Sequence, residues 1–250
     1  DIEAWQAWSE QQNSNNSNIG IKTFELNTQK VTGFGQQWSS LSLTGLKEKA
    51  TWQLKVTSPD TSGEIGVDEE LSSIDARLSK LKLVIPESAK PTSSTRQALW
   101  PSVNIVIDDL HVDEMKLGNF KLSANNTGQA WIIDQARLQA PYYQAELTGS
   151  WSKSQQTDNT SMSLKVESDD IEQLLTALNY QAGLEAKESK LYSTLSWSGS
   201  PIDFDKAKAN GTFGFKLKKG KLNEVEPGAA GRVFGLLSIA AIPRRLSLDF

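Results

Sequence analysis

Along most of this chain apolar and polar residues alternate with a period of two. Ala50, Trp52, Leu54 and Val56 alternate with Thr51, Gln53, Lys55 and Thr57. Tyr143, Ala145, Leu147, Gly149 and Trp151 alternate with Gln144, Glu146, Thr148 and Ser150, and Met162, Leu164 and Val166 repeat the pattern. So do Leu191, Leu195 and Trp197, and then Phe213, Phe215 and Leu217. Successive side chains of a strand point to opposite faces, so such alternation predicts sheet with one apolar and one wetted face, the pattern of antiparallel strands. Two runs change phase: Ile19 and Ile21 against Phe24 and Leu26, and Val103, Ile105 and Ile107 against Leu110 and Val112. A phase change within a strand predicts a bulge, which bends and twists the sheet.

Three segments follow a helical period instead. Asp1 to Gln12 carries Ile2, Trp5 and Trp8 on one side. Residues 169–180 place Ile171, Leu174, Leu175 and Leu178 on one face, with Asp169 as the expected cap and Glu172 in the capping-box position. Residues 227–242 open on Pro227 and align Val233, Leu236, Leu237 and Ala240. Pro243 stops that helix, and Leu246, Leu248 and Phe250 resume strand-like alternation. The alternation is cut in its middle at Phe250, the expected mark of a piece excised from a longer protein. Polar low-complexity loops occupy Gln11 to Asn18, Lys90 to Gln97 and Lys153 to Ser161. The second is the best boundary, dividing an N-terminal β segment with a leading helix (1–90) from a second β segment (91–250), with one continuous sheet expected across it.

Composition narrows the function. The formal net charge is −4 and the pI about 5.2, so there is no basic footprint for nucleic acid. With no cysteine, disulfide frameworks and thiolate metal sites are excluded. No apolar run reaches the roughly 18 residues that a membrane-spanning helix needs. No phosphate-cradling glycine motif and no GxSxG turn occurs. The one histidine, His111, stands between Asp109 and Asp113, and on a regular strand all three share a face where a metal ion could be held. No further ligand cluster stands out, and a solvated strand face with Leu110 and Val112 turned inward is the preferred reading. Trp52, Trp151 and Trp197 follow the apolar phase of their strands, which favours core or groove lining over an exposed row for stacking on sugars. Gly231 and Gly235 suit close packing of the last helix onto the sheet, and Arg244 and Arg245 complement its C-terminus.

The C-terminal run Pro227-Gly228, Gly231-Arg232, Gly235-Leu236-Leu237-Ser238, Pro243-Arg244-Arg245-Leu246 and Leu248-Asp249-Phe250 resembles the segment that closes a unit of YhdP-type proteins in the AsmA-like superfamily, which is TamB-related. The run from Leu195 to Pro201, the run from Asn210 to Leu222 and the segment ending at Trp151 are similar to that family too. The likeness is strong from Asn104 to Phe250 and diffuse before it; Asn179 departs from the family pattern, where glycine is expected. The resemblance implies a non-enzymatic, periplasmic part of an inner-membrane-anchored protein that carries phospholipid along a β-groove toward the outer membrane. It implies phospholipid acyl chains as partners, an anchor elsewhere in the protein, contact with the outer membrane, and no cofactor.

The expected fold is mainly β: an elongated, twisted antiparallel sheet forming a groove, with a few short helices packed on its apolar face or at its ends. The expected lining is Trp52, Leu54, Val56, Tyr143, Leu147, Trp151, Met162, Leu164, Val166, Phe213, Phe215 and Leu217. Val233, Leu236 and Leu237 are the expected groove-capping helix. Moving a diacyl lipid through water exposes apolar surface worth on the order of 20 kcal/mol, at about 0.8 kcal/mol per CH₂. An apolar face removes that barrier without any catalytic residue. A carbohydrate-binding β-sandwich and a closed structural spacer are the competing readings.

Overall fold

The computed structural model describes residues 21–33, 36–84, 99–154, 157–178, 184–205 and 207–222. Twelve strands form one sheet in sequence order. They are β1 (Thr23–Gly33), β2 (Gln36–Glu48), β3 (Thr51–Thr57), β4 (Thr61–Asp68), β5 (Ser73–Leu83), β6 (Ser102–Val112), β7 (Met115–Asn126), β8 (Ala130–Ala140), β9 (Tyr143–Ser152), β10 (Asn159–Ser168), β11 (Leu184–Ser198) and β12 (Asn210–Leu222). Every neighbouring pair is antiparallel except β5 and β6, which run parallel. The expected long, twisted, mainly antiparallel sheet is thus present, with the β5–β6 pair as its one parallel step. A parallel pair needs a crossover of about a dozen residues or more, and the fourteen positions between Val84 and Leu99 supply that length. The 1–90 and 91–250 division falls within those positions, outside the described residues, and the sheet runs on from β5 to β6.

The expected phase change in β6 is a register shift between Ile107 and Leu110, and matching shifts occur in β7 and β8. Each bends the sheet while returning apolar residues to the same face. Curling also shows at the end of β2. The Gln36 amide donates from Nε2 to the Val84 carbonyl at 2.8 Å and accepts from the Val84 N–H at 2.8 Å. On a flat sheet β2 and β5 would lie three spacings apart, about 14 Å. The short β3 and β4 let the longer strands close over their hairpin.

One α-helix is described, α1 (Ile171–Ala177), between β10 and β11. Its apolar face is the expected one: Ile171, Leu174 and Leu175 are buried. Its cap is Asp170, correcting Asp169, and the expected box through Glu172 is replaced by two bonds from Gln173 to the cap: the Gln173 N–H donates to Asp170 Oδ1 at 3.0 Å and Gln173 Nε2 to Oδ2 at 2.8 Å. Asp169 is drawn back to the sheet because its N–H donates to the Tyr142 carbonyl. The helices expected at 1–12 and 227–242, with Val233, Leu236 and Leu237, lie outside the described residues.

Candidate functional site: an apolar trough

Cross-strand partners in a sheet share a face, so the register can be followed from one edge to the other. One such row runs Leu26, Leu43, Val56, Gly63, Leu78, Ile107, Phe120, Leu138, Ala145, Val166, Leu191 and Phe215, one residue from each strand and none of them polar. The row beside it runs Phe24, Gly45, Leu54, Ile65, Ala76, Ile105, Leu122, Ala136, Leu147, Leu164, Ser193 and Phe213, with Ser193 its single polar side chain. At about 4.8 Å per strand, each row is roughly 50 Å long. All twelve residues expected as lining stand on this face: Trp52, Leu54 and Val56 on β3, Tyr143, Leu147 and Trp151 on β9, Met162, Leu164 and Val166 on β10, and Phe213, Phe215 and Leu217 on β12.

They are not equally accessible. Trp151 is fully buried, and Val56, Tyr143 and Met162 are nearly so. Trp52, Leu54, Leu147, Leu164, Val166 and Leu217 are half-buried, while Phe213 and Phe215 are exposed. At one end of the strands, Trp100 packs edge-on against Trp131 and Trp151, with centroids 5.0 and 5.5 Å away. Phe204, next to the 3-10 turn Pro201–Asp203, packs edge-on against Trp197 at 5.0 Å. Trp131 Nε1 donates to the Pro101 carbonyl at 2.8 Å and Trp197 Nε1 to the Ser200 carbonyl at 2.9 Å. Together these residues form an aromatic lip folded over the apolar face. Neither Trp100 nor Phe204 stands out in the alternation; aromatic identity was the available signal, but the contacts are tertiary.

At the opposite strand ends α1 covers the apolar face. Ile171 and Leu175 pack with Ala186 and Leu217, and Leu178 reaches the cluster that includes Leu117. Tyr143 lies in this rim, its hydroxyl donating to the Leu117 carbonyl at 2.8 Å, and burial pushes its pKa above the ordinary phenol value. Between the two rims no second sheet lies over the apolar rows among the described residues.

The other face is polar and charged. Glu167 accepts from Lys165, Lys190 and Gln144. Those bonds, Lys165's first, hold its pKa down at about 2. Arg137 pairs with Glu146, and Lys218 with Glu188. Two shallow depressions, about 790 Å³ beside Glu25, Thr44, Gln53 and Lys55 and about 490 Å³ beside Thr148, Ser163, Tyr192 and Thr194, also touch residues of the apolar rows, Phe24 and Leu54 in the first and Leu164 and Phe213 in the second. His111 Nε2 lies 3.0 Å from Asp109 Oδ2, but Asp113 sits in the following turn with φ of 53°. No group of three His, Asp or Glu residues suited to a metal ion occurs among the described residues. Trp131, Trp151 and Trp197 are at most 5% exposed and face the apolar side, so they do not form the solvent-facing row that sugar stacking requires. No helix among the described residues is long and apolar enough to cross a membrane.

An open sheet with one apolar face running across all twelve strands defines the class of fold, a β-trough. The particular family is equally plain. The chain belongs to the YhdP family, whose description, "YhdP protein", matches residues 1–250. It is 22% identical over 151 residues to the "Intermembrane phospholipid transporter YhdP" of Escherichia coli (strain K12), a match covering 60% of this chain and 12% of that relative. The chain therefore corresponds to a small part of the relative's length. No solved structure matches.

Proposed function

We propose that this chain is one length of a phospholipid-conducting trough, in the periplasmic part of an inner-membrane-anchored protein that moves lipid toward the outer membrane. The observation that carries the reading is the pair of cross-sheet rows, apolar through all twelve strands but for Ser193. In them Leu54, Leu147, Leu164 and Val166 remain half-buried with no layer of the described chain over them. Transport along such a face needs no chemical step: an acyl chain exchanges one set of apolar contacts for the next, and each CH₂ kept from water is worth about 0.8 kcal/mol. The similarity to an intermembrane phospholipid transporter supports the same cargo.

A charge on the row tests the idea. Leu54→Arg or Leu164→Arg in the full-length protein sets an unpaired cation against the passing alkyl chain, which costs several kcal/mol unless the chain is displaced. Lipid transfer should fall steeply with protein level unchanged, while Ser163→Arg, on the polar face, leaves it intact. Normal transfer by the Leu164→Arg protein would refute the proposal.

A further inference from the structure

On the face opposite the trough, charge gives way at one place. From β9 to β12 the cross-strand row Thr148, Ser163, Thr194 and Thr212 carries only hydroxyls. The next row toward the aromatic lip, from Ser150 on β9 to Asn210 on β12, holds no charge either. Tyr192 stands beside this patch, between Lys165 on β10 and Gly214 on β12, and is 45% exposed. The exposed phenylalanines Phe24, Phe213 and Phe215 belong to the apolar rows, whereas Tyr192 presents its ring on the other side. A Cβ at Gly214 would meet nothing within 4 Å, so the space beside the ring is open. The depression of about 490 Å³ lies here, bordered by Tyr192, Ser163, Thr194, Thr212 and Gly214.

The bonding of the surrounding groups decides what chemistry this depression accepts. Its charged neighbours are already paired, Glu146 with Arg137, and both Lys165 and Lys190 with Glu167. An anionic ligand would have to displace Glu167 to gain a cation. Thr194 and Thr212 bond hydroxyl to hydroxyl at 2.7 Å, which leaves each with spare capacity to bond further. The hydroxyls of Thr148 and Ser163 bond no group among the described residues. An apolar partner would take those hydroxyls out of water unpaired, which is unfavourable.

We propose that this patch binds an uncharged glycan in extended form, with Tyr192 stacked under one sugar ring and the Thr148–Thr212 row bonding the hydroxyls of the rings beside it. A sugar ring offers both halves of the match: a C–H face for an aromatic ring, and a rim of hydroxyls that donate and accept. The row supplies one hydroxyl per strand, about every 4.8 Å. An extended β-linked chain laid across the strands advances by about that distance per ring, whereas a coiled α-linked chain loses the register. The buried tryptophans take no part, and the site is independent of the trough because it lies on the opposite face.

Titration calorimetry of the full-length protein in detergent tests this, with cellohexaose as the extended probe and maltohexaose as the coiled one. Saturable binding of cellohexaose is expected, about tenfold or more tighter than that of maltohexaose. Tyr192→Ala should weaken it by about tenfold, and Tyr192→Phe, which keeps the ring, should leave it unchanged. Gly214→Gln should block the space beside the ring while the melting temperature stays the same, because its Cβ has room. That variant decides the matter even where Tyr192→Ala folds poorly. Failure of cellohexaose to bind, equal affinity for the two sugars, or binding unchanged by Gly214→Gln overturns the proposal.

Discussion

Trp151 offers a sharp energetic test of the rim, because two effects on one side chain oppose each other. It is fully buried and packs against Trp100, yet its indole N–H has no hydrogen-bond partner among the described residues. The neighbouring indoles of Trp131 and Trp197 both donate to carbonyls. Truncation to alanine removes a large buried ring, a change worth about 3–5 kcal/mol, and the edge-on contact with Trp100 adds about 0.5–1.5 kcal/mol. Removing an unpaired buried donor returns about 1–3 kcal/mol. The net loss for Trp151→Ala is therefore about 3 kcal/mol. Trp151→Phe keeps a ring against Trp100 and still removes the unpaired N–H; the smaller cavity costs about 1–2 kcal/mol, so the two effects nearly cancel. For a chain of this size each kcal/mol moves Tm by about 2–4 °C. Thermal unfolding followed by circular dichroism should show Trp151→Ala melting about 6–12 °C lower and Trp151→Phe within about 4 °C of the parent. Equal losses for the two variants would refute the reasoning, since they would mean that the indole N–H has a partner or that its desolvation carries no weight.

Two further outcomes follow from local geometry. A Cβ at Gly45 would fall within the ring of Phe24, which itself packs 5.5 Å from Trp52. Gly45→Val should displace that ring and cost about 1–3 kcal/mol in a denaturant titration, with loss of the Phe24–Trp52 contact visible by NMR. Glu167, held at about 2 by its bonds to Lys165, Lys190 and Gln144, is a carboxylate whose folded pKa is depressed. Its contribution is present above the unfolded value near 4.3 and is lost as pH falls through about 2. Comparison of parent and Glu167→Gln melts should show a difference at pH 7 that shrinks below about pH 4 and in high salt, as expected of an exposed pair.

The face assignment was legible in the sequence because strand alternation encodes a face directly. Trp52, Leu147, Leu164 and Phe213 came from separate runs, and the register brings them to one side. The phase change between Ile107 and Leu110 was equally readable, since a bulge is the local means of keeping both on that side. The parallel β5–β6 pair was not, because alternation reports which way a side chain points and says nothing about the neighbour's direction. The Asp170 cap was hidden for a related reason. Asp169 and Asp170 are equally able to cap, and the choice is made by the Tyr142 carbonyl, which belongs to another strand connection. Accessibility was the least readable property. Trp151 and Leu147 obey one periodicity, yet Trp151 is sealed under Trp100 and Leu147 is left half-open, a difference set by tertiary contacts.

The central claim is that lipid runs along the apolar face of this sheet. Photo-crosslinking at adjacent residues of opposite facing tests it most directly in the full-length protein in intact cells. Leu147 and Leu164 stand on the apolar rows, and their chain neighbours Thr148 and Ser163 on the polar face. Phospholipid adducts at the two leucine positions and none at Thr148 or Ser163 are the predicted result. Adducts of equal yield on both faces, or on the polar face alone, would contradict it.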